Sequence, residues 1–138
     1  VIFGWARPVP VNPSYFRHIR LGEITVSLAG PLSNLMLATL FAGLLHLGVG
    51  GAGLLLMATY GCFINIFLAL FNLIPIPPLD GSHLVAAVLP YRWARAYSYL
   101  EPVGFIIILL LFYTGILSRI LIPLSRGVAS LLQLPHLF

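Results

Sequence analysis

The stretch FNLIPIPPLDGSHL, Phe71–Leu84, decides how this sequence is read, because it sets one carboxylate and three prolines inside an otherwise apolar chain. No Asp, Glu, Lys or Arg occurs from Ile24 to Leu79; Asp80 ends that run, and Pro75, Pro77 and Pro78 stop any helix that enters it. At membrane depth both features are costly. An ionised carboxylate at the bilayer centre costs about 2.5–3.5 kcal/mol on insertion scales. Proline-broken backbone there leaves carbonyls that are tolerated only where they face protein or a wet cavity. If the chain lies in a membrane, the two features point to one place, a polar cavity inside a helix bundle.

Composition supplies that condition. Of the 138 residues, 60% are hydrophobic and 7% are charged, and the mean hydropathy is +1.06. A soluble domain carries roughly a quarter charged residues, so this chain cannot clothe its surface in polar groups and its solvent is lipid. The fold class is therefore all-α integral membrane: a multi-span bundle of transmembrane helices in which the proline-broken segment lines a polar cavity. The net charge of +4 comes from seven arginines scattered beside apolar runs, a pattern that sets membrane topology and excludes a nucleic-acid surface. Cys62, alone in its run, reads as a small buried hydrophobe.

Working outward, residues 1–138 read as one membrane domain. Residues 1–23 form a proline-rich interfacial or re-entrant segment, in which Trp5, Tyr15 and Phe16 alternate with Arg7, Arg17 and Arg20, and Pro8, Pro10 and Pro13 oppose a regular helix. Transmembrane helices are expected over 24–47, 54–73 and 103–121, about 20 residues being needed per crossing. Gly48, Gly50, Gly51 and Gly53 part the first from the second, and Pro31 falls in the opening turns of the first. Residues 74–90 hold the Asp80 motif, and Pro90–Arg95 reads as an interfacial return. The tail from 121 to 138 is either a surface amphipathic segment or a frayed last helix. Arginine placement puts Arg17, Arg20, Arg92 and Arg95 in the cytoplasm and the glycine turn outside.

Asp80 has two readings on pattern alone. It can cap the helix that follows it, or it can hold a metal or cation inside the cavity. Asn72 can satisfy loose carbonyls at a helix end or meet a ligand. Ser33, Asn34 and Asn65 read as helix–helix hydrogen-bonding groups, worth about 0.6 kcal/mol each. His18, His46 and His136 read as interfacial residues. His83, three residues after Asp80, can share its helix face, but two ligands do not make a zinc site.

Three motifs carry a resemblance. Asn72-Leu73-Ile74-Pro75-Ile76-Pro77-Pro78-Leu79-Asp80-Gly81 resembles the Asn…Pro…Asp-Gly signature of the site-2 protease class of intramembrane zinc metalloproteases, peptidase family M50. Gly4-Trp5-Ala6-Arg7-Pro8-Val9-Pro10-Val11-Asn12-Pro13 is similar to that family's proline-rich loop, and Ala29-Gly30-Pro31-Leu32-Ser33-Asn34 to the start of a core helix. The resemblance implies zinc-dependent hydrolysis of peptide bonds in or near transmembrane segments of substrate proteins. It implies Asp80 as a zinc ligand, Asn72 as a hydrogen-bond donor to substrate or oxyanion, Gly81 as a site of close backbone approach, and Pro75 and Pro77 as shapers of the cavity. Zinc held by two histidines and an acid keeps one position open for water, whose lowered pKa suits it to attack a carbonyl.

The family's His-Glu-x-x-His does not occur in these residues. The chain alone is therefore expected to be inactive, and, opening on Val1, to be the C-terminal part of a longer protein. The implied partners are the lipid bilayer and transmembrane substrates, in a prokaryotic cytoplasmic membrane; nothing in the pattern specifies an oligomeric state. The alternative is a non-catalytic pseudoprotease or membrane adaptor of the same fold, and a weaker one is a transporter fragment in which Asp80 relays protons.

Overall fold

A computed structural model of the chain describes residues 13–134. Its elements are six helices: α1 (Pro13–Leu47), α2 (Ala52–Asn72), α3 (Asp80–Val88), α4 (Tyr91–Ser98), α5 (Glu101–Tyr113) and α6 (Ile116–Leu131). No strand occurs among the described residues. Two helical stretches, His18–Leu47 and Ala52–Asn72, are long and apolar enough to cross a membrane, and α4 with α5 forms a third candidate bent by 63°. At 1.5 Å per residue α2 is about 31 Å long, close to the hydrocarbon thickness of about 30 Å, whereas α1 is about 50 Å long and must tilt or project.

The start of α1 differs from the sequence expectation. Residues 13–23 are helical rather than interfacial coil, because a proline in the first turn sacrifices an N–H that has no helical partner anyway. Pro8 and Pro10 lie outside the described residues. The earlier start moves Pro31 from the opening turns to the interior of α1. There it removes the hydrogen bond to the Ser27 carbonyl, yet the helix continues because both residues are buried against neighbours.

The α1–α2 hairpin turns on Gly48 (φ 60°) and Gly50 (φ 109°), a left-handed backbone that other residues rarely adopt. Below the turn the pair meets through small side chains. Ala38 and Ala42 on α1 face Cys62 and Ile66 on α2 in one buried cluster that Ala129 and Leu134 complete from the C-terminal end. Lipid offers no hydrophobic drive to press helices together, so close packing of small residues takes its place. Large apolar side chains such as Leu56, Met57, Phe105 and Leu110 point outward instead, as a lipid-facing surface requires.

The predicted helix over 103–121 is broken. α5 ends at Tyr113, Gly115 takes φ 75°, and α6 sets off afresh to Leu131 with Pro123 inside it. Its end is closed by the Leu134 N–H bonding the Ala129 carbonyl at 2.8 Å and by His46 Nε2 on α1 donating to the Leu132 carbonyl at 2.8 Å. Helix α6 lays a stripe of Leu117, Leu121, Ser125 and Ala129 inward. The Ser125 hydroxyl is fully buried without a hydrogen-bond partner among the described residues, a state that costs about 1–3 kcal/mol. Ser125→Ala is expected to stabilise the protein by about 1 kcal/mol, read as a higher unfolding midpoint in detergent. A lower midpoint would show that the hydroxyl has a partner.

Two further polar readings change. Ser33 Oγ donates to the Ala29 carbonyl at 2.6 Å and Asn65 Nδ2 to the Gly61 carbonyl at 2.7 Å. Both bonds run back along their own helix instead of across to another, the usual outlet for a short polar side chain in lipid.

Candidate functional site

Helix α2 ends at Asn72 because Pro75 cannot continue it. Over the next seven residues the chain satisfies its own donors. Leu73 N–H bonds the Ala69 and Leu70 carbonyls, Ile74 N–H the Phe71 carbonyl at 3.1 Å, Ile76 N–H the Ile74 carbonyl at 2.8 Å, and Leu79 N–H the Ile76 carbonyl at 3.0 Å. The other three residues are prolines, which have no N–H to satisfy. The Pro77–Pro78 peptide bond is cis. Irregular backbone thus sits between two helices with every N–H from 73 to 79 paired, the condition that lipid imposes.

Its carbonyls are covered from two directions. The Tyr97 hydroxyl on α4 donates to the Pro75 carbonyl. The backbone of Gly104 on α5 presses on Pro77 so closely that a Cβ there would lie 1.8 Å from the Pro77 oxygen. Neither residue stands out in the sequence, although a lone glycine in the apolar run EPVGFIIILL is the kind of signal that marks close backbone approach. Gly104→Ala is expected to cost about 2 kcal/mol by overpacking, read as a lower midpoint in detergent unfolding. An unchanged midpoint would mean that α5 does not bear on the proline segment.

Asp80 opens α3, with Leu79 as the N-cap. The carboxylate is not the cap, so the helix-start reading holds only in that the charge lies in the first turn, where the helix dipole favours it. The half-buried Asp80 makes no hydrogen bond or ion pair with a described residue. It points toward α1 at Gly30, where a Cβ would lie 3.0 Å from Asp80 Oδ2. The residue type at position 30 therefore leaves the carboxylate its space, a contact with no signal in the sequence beyond the Gly30-Pro31 pair. Gly81 is buried against the end of α2: a Cβ there would lie 2.1 Å from the Leu73 carbonyl oxygen.

Two of the three motifs meet here, since Gly30 of the core-helix motif faces Asp80 of the Asp-Gly motif. The proline-rich motif, Gly4–Pro13, lies outside the described residues except for Pro13. Asn72 stands on the last turn of α2, partly buried and with no hydrogen bond to a described residue. Pro75 is exposed and Pro77 buried; His83 is exposed on α3. Beside the segment runs a groove of about 380 Å³ between residues 70–76 and α5–α6. Its walls, Leu73, Ile74, Ile76, Leu117 and Leu121 among them, are apolar, and neither Asn72 nor Asp80 lines it. The polar cavity expected from the sequence is not this groove.

Among the described residues no three His, Cys, Asp or Glu side chains come together to hold a metal. Asp80 has a hard carboxylate with no hydrogen bond or ion pair to a described residue, set in a cradle that a side chain at position 30 would fill, and such a group is chemically compatible with a metal.

Comparison with known proteins bears on these features. The sequence model of peptidase family M50 matches residues 49–111, a span that holds Asn72, the prolines, Asp80 and Gly81. Three relatives are each named "putative zinc metalloprotease". YwhC of Bacillus subtilis is 39% identical over 143 residues, covering 96% of this chain and 65% of its own length. MJ0611 of Methanocaldococcus jannaschii is 44% identical over 69 residues, covering 50% of this chain and 36% of its own. Rip2 of Mycolicibacterium smegmatis is 34% identical over 100 residues, covering 68% and 37%. The chain thus spans just under two thirds of YwhC and little more than a third of the other two. No solved structure matches it. The Asp-Gly segment lies inside the family match and the similarity to YwhC runs along nearly the whole chain, so the chain is similar to peptidase family M50 across the region that holds the site.

Proposed function

We propose that this chain is part of an intramembrane zinc-dependent endopeptidase that hydrolyses peptide bonds in or near the transmembrane segments of other proteins. The observation that carries the reading is the state of Asp80: a carboxylate with no hydrogen bond or ion pair to a described residue, in a lipid-solvated chain, at the start of α3, with Gly30 clearing the space in front of it. The match to a peptidase family and the printed names of the relatives support the same chemistry.

Each residue then has a task that this chain performs by itself. Asp80 supplies one anionic zinc ligand of a set that these residues do not complete. Gly81 lets α3 start against the end of α2 and so fixes the direction from which Asp80 approaches. Asn72 carries an amide that donates to a substrate carbonyl or to the charge that develops on it. Residues 74–79 leave no N–H to compete for the substrate, and Pro75, exposed, and Pro77, buried beneath Gly104, shape the segment beside which an unwound helix is held. When bound, zinc supplies Lewis acidity and lowers the pKa of water. The setting is a prokaryotic cytoplasmic membrane, with bilayer lipid and single transmembrane segments as partners.

The test uses the full-length protein in liposomes, with zinc per chain measured by elemental analysis and cleavage of a transmembrane reporter measured alongside it. About one zinc per chain, with cleavage that stops on chelation and returns with zinc, supports the reading. Cleavage that survives complete removal of zinc defeats it, and one zinc without cleavage of any reporter favours a non-catalytic chain of the same fold.

A further inference from the structure

Helix α4 carries a charge pattern that the bundle does not use. Its sequence, YRWARAYS, has two arginines and no carboxylate, and none of its residues is buried. Neither Arg92 nor Arg95 pairs with a carboxylate among the described residues. The 3.6-residue period sets Arg92, Arg95 and the C-cap Tyr99 on one face and Tyr97 on the opposite one. Tyr97 is the side chain that bonds the Pro75 carbonyl, so one face of α4 is tied to the protein while the other turns its charge away.

The bend decides where that charge goes. Helix α4 meets α5 at 63°, and α5 exposes Phe105, Ile106, Leu109 and Leu110 as a lipid-facing helix does. With α5 upright in the bilayer, α4 lies closer to the membrane plane than to its normal. Trp93, 68% exposed on α4, belongs at the headgroup level, where indole rings and arginines both settle. A surface helix that shows only positive charge there meets a leaflet whose anionic lipids attract it.

We infer that the Arg92–Arg95 face of α4 is a docking surface for anionic phospholipid headgroups, which hold the helix on the membrane surface. This surface goes beyond the protease reading and stands without it, since a non-catalytic chain would present the same face. Through Tyr97 it is also joined to the proline segment.

These 138 residues contain two tryptophans, Trp5 and Trp93; with Trp5 and any tryptophan outside these residues changed to Phe, Trp93 is the reporter. The protein is reconstituted in phosphatidylcholine vesicles containing a fixed fraction of phosphatidylglycerol, and bromine is carried on the acyl chains of one lipid or the other in turn. Brominated phosphatidylglycerol is expected to quench Trp93 more strongly than brominated phosphatidylcholine at equal mole fraction, reflecting roughly tenfold local enrichment. The preference should vanish in R92Q/R95Q, whose fold is checked by unchanged helical circular dichroism. It should also vanish in the parent at about 1 M salt, where exposed charges are screened, so that the test does not hang on the variant. Equal quenching by the two lipids in the parent, or a preference that survives both the double variant and high salt, overturns the inference.

Discussion

Asp80→Asn in the full-length protein is expected to remove the zinc that the proposed function requires and to leave the fold standing. The substitution is nearly isosteric and keeps one acceptor oxygen, but it deletes the charge that makes a carboxylate a zinc ligand. Loss of groups that merely orient ligands already costs 10–100-fold in metal affinity or activity, so loss of the ligand itself should cost about 100-fold or more. Stability should hardly move, because Asp80 engages no described residue by hydrogen bond or ion pair and the N-cap of α3 is Leu79. Elemental analysis paired with a thermal melt of the metal-free protein separates the two effects. Full zinc occupancy in the variant would remove Asp80 from the ligand set, and a collapsed metal-free fold would show that the carboxylate is structural.

Gly81→Ala has the opposite signature, a damaged fold whether or not metal is present. The added methyl would lie 2.1 Å from the Leu73 oxygen, 2.4 Å from the Leu73 carbonyl carbon and 2.6 Å from the Ile74 oxygen. All three are backbone atoms at the end of α2, held by the hydrogen bonds that Leu73 and Ile74 donate into that helix. No flexible side chain can give way, so α3 must move off α2 as a unit. Overpacking of this kind costs typically 1–3 kcal/mol and occasionally more, and about 3 kcal/mol is expected here. A detergent unfolding midpoint equal to that of the parent would show that α3 is not seated on α2.

Much of this arrangement was legible in the sequence, and the reasons divide by range. Glycines 48 to 53 mark a turn because several residues free of steric limits stand between two apolar runs, and the hairpin turns there on Gly48 and Gly50. The end of α2 falls at Asn72 beside the predicted 73, since proline punctuation is a local effect. The start of α1 was harder to read: Pro13 looks like a breaker until the chain is known to begin a helix on it. The break at Gly115 was hidden by the hydrophobicity of both flanks. The site itself depends on contacts across long stretches of chain. Gly30 against Asp80, Tyr97 against Pro75 and Gly104 against Pro77 leave only faint traces in sequence, because a glycine or a tyrosine in an apolar run has many other uses. Asp80 could be singled out by its charge alone, but its lack of a partner among the described residues is a property of the fold.

The paired donors of residues 73–79 carry a consequence for substrate recognition. An extended peptide that joins an exposed backbone edge exchanges hydrogen bonds in both directions, giving N–H groups and receiving them. This segment has none to give: three of its residues are prolines, and the other four donate to carbonyls nearby. Nor do its carbonyls stand free to receive: those of Pro75 and Pro77 are covered by Tyr97 and Gly104, and those of Ile74 and Ile76 accept from Ile76 and Leu79. On the proposed peptidase reading, a bound peptide would find little backbone here to pair with. Discrimination would then fall to side chains and to the ease with which a substrate helix unwinds.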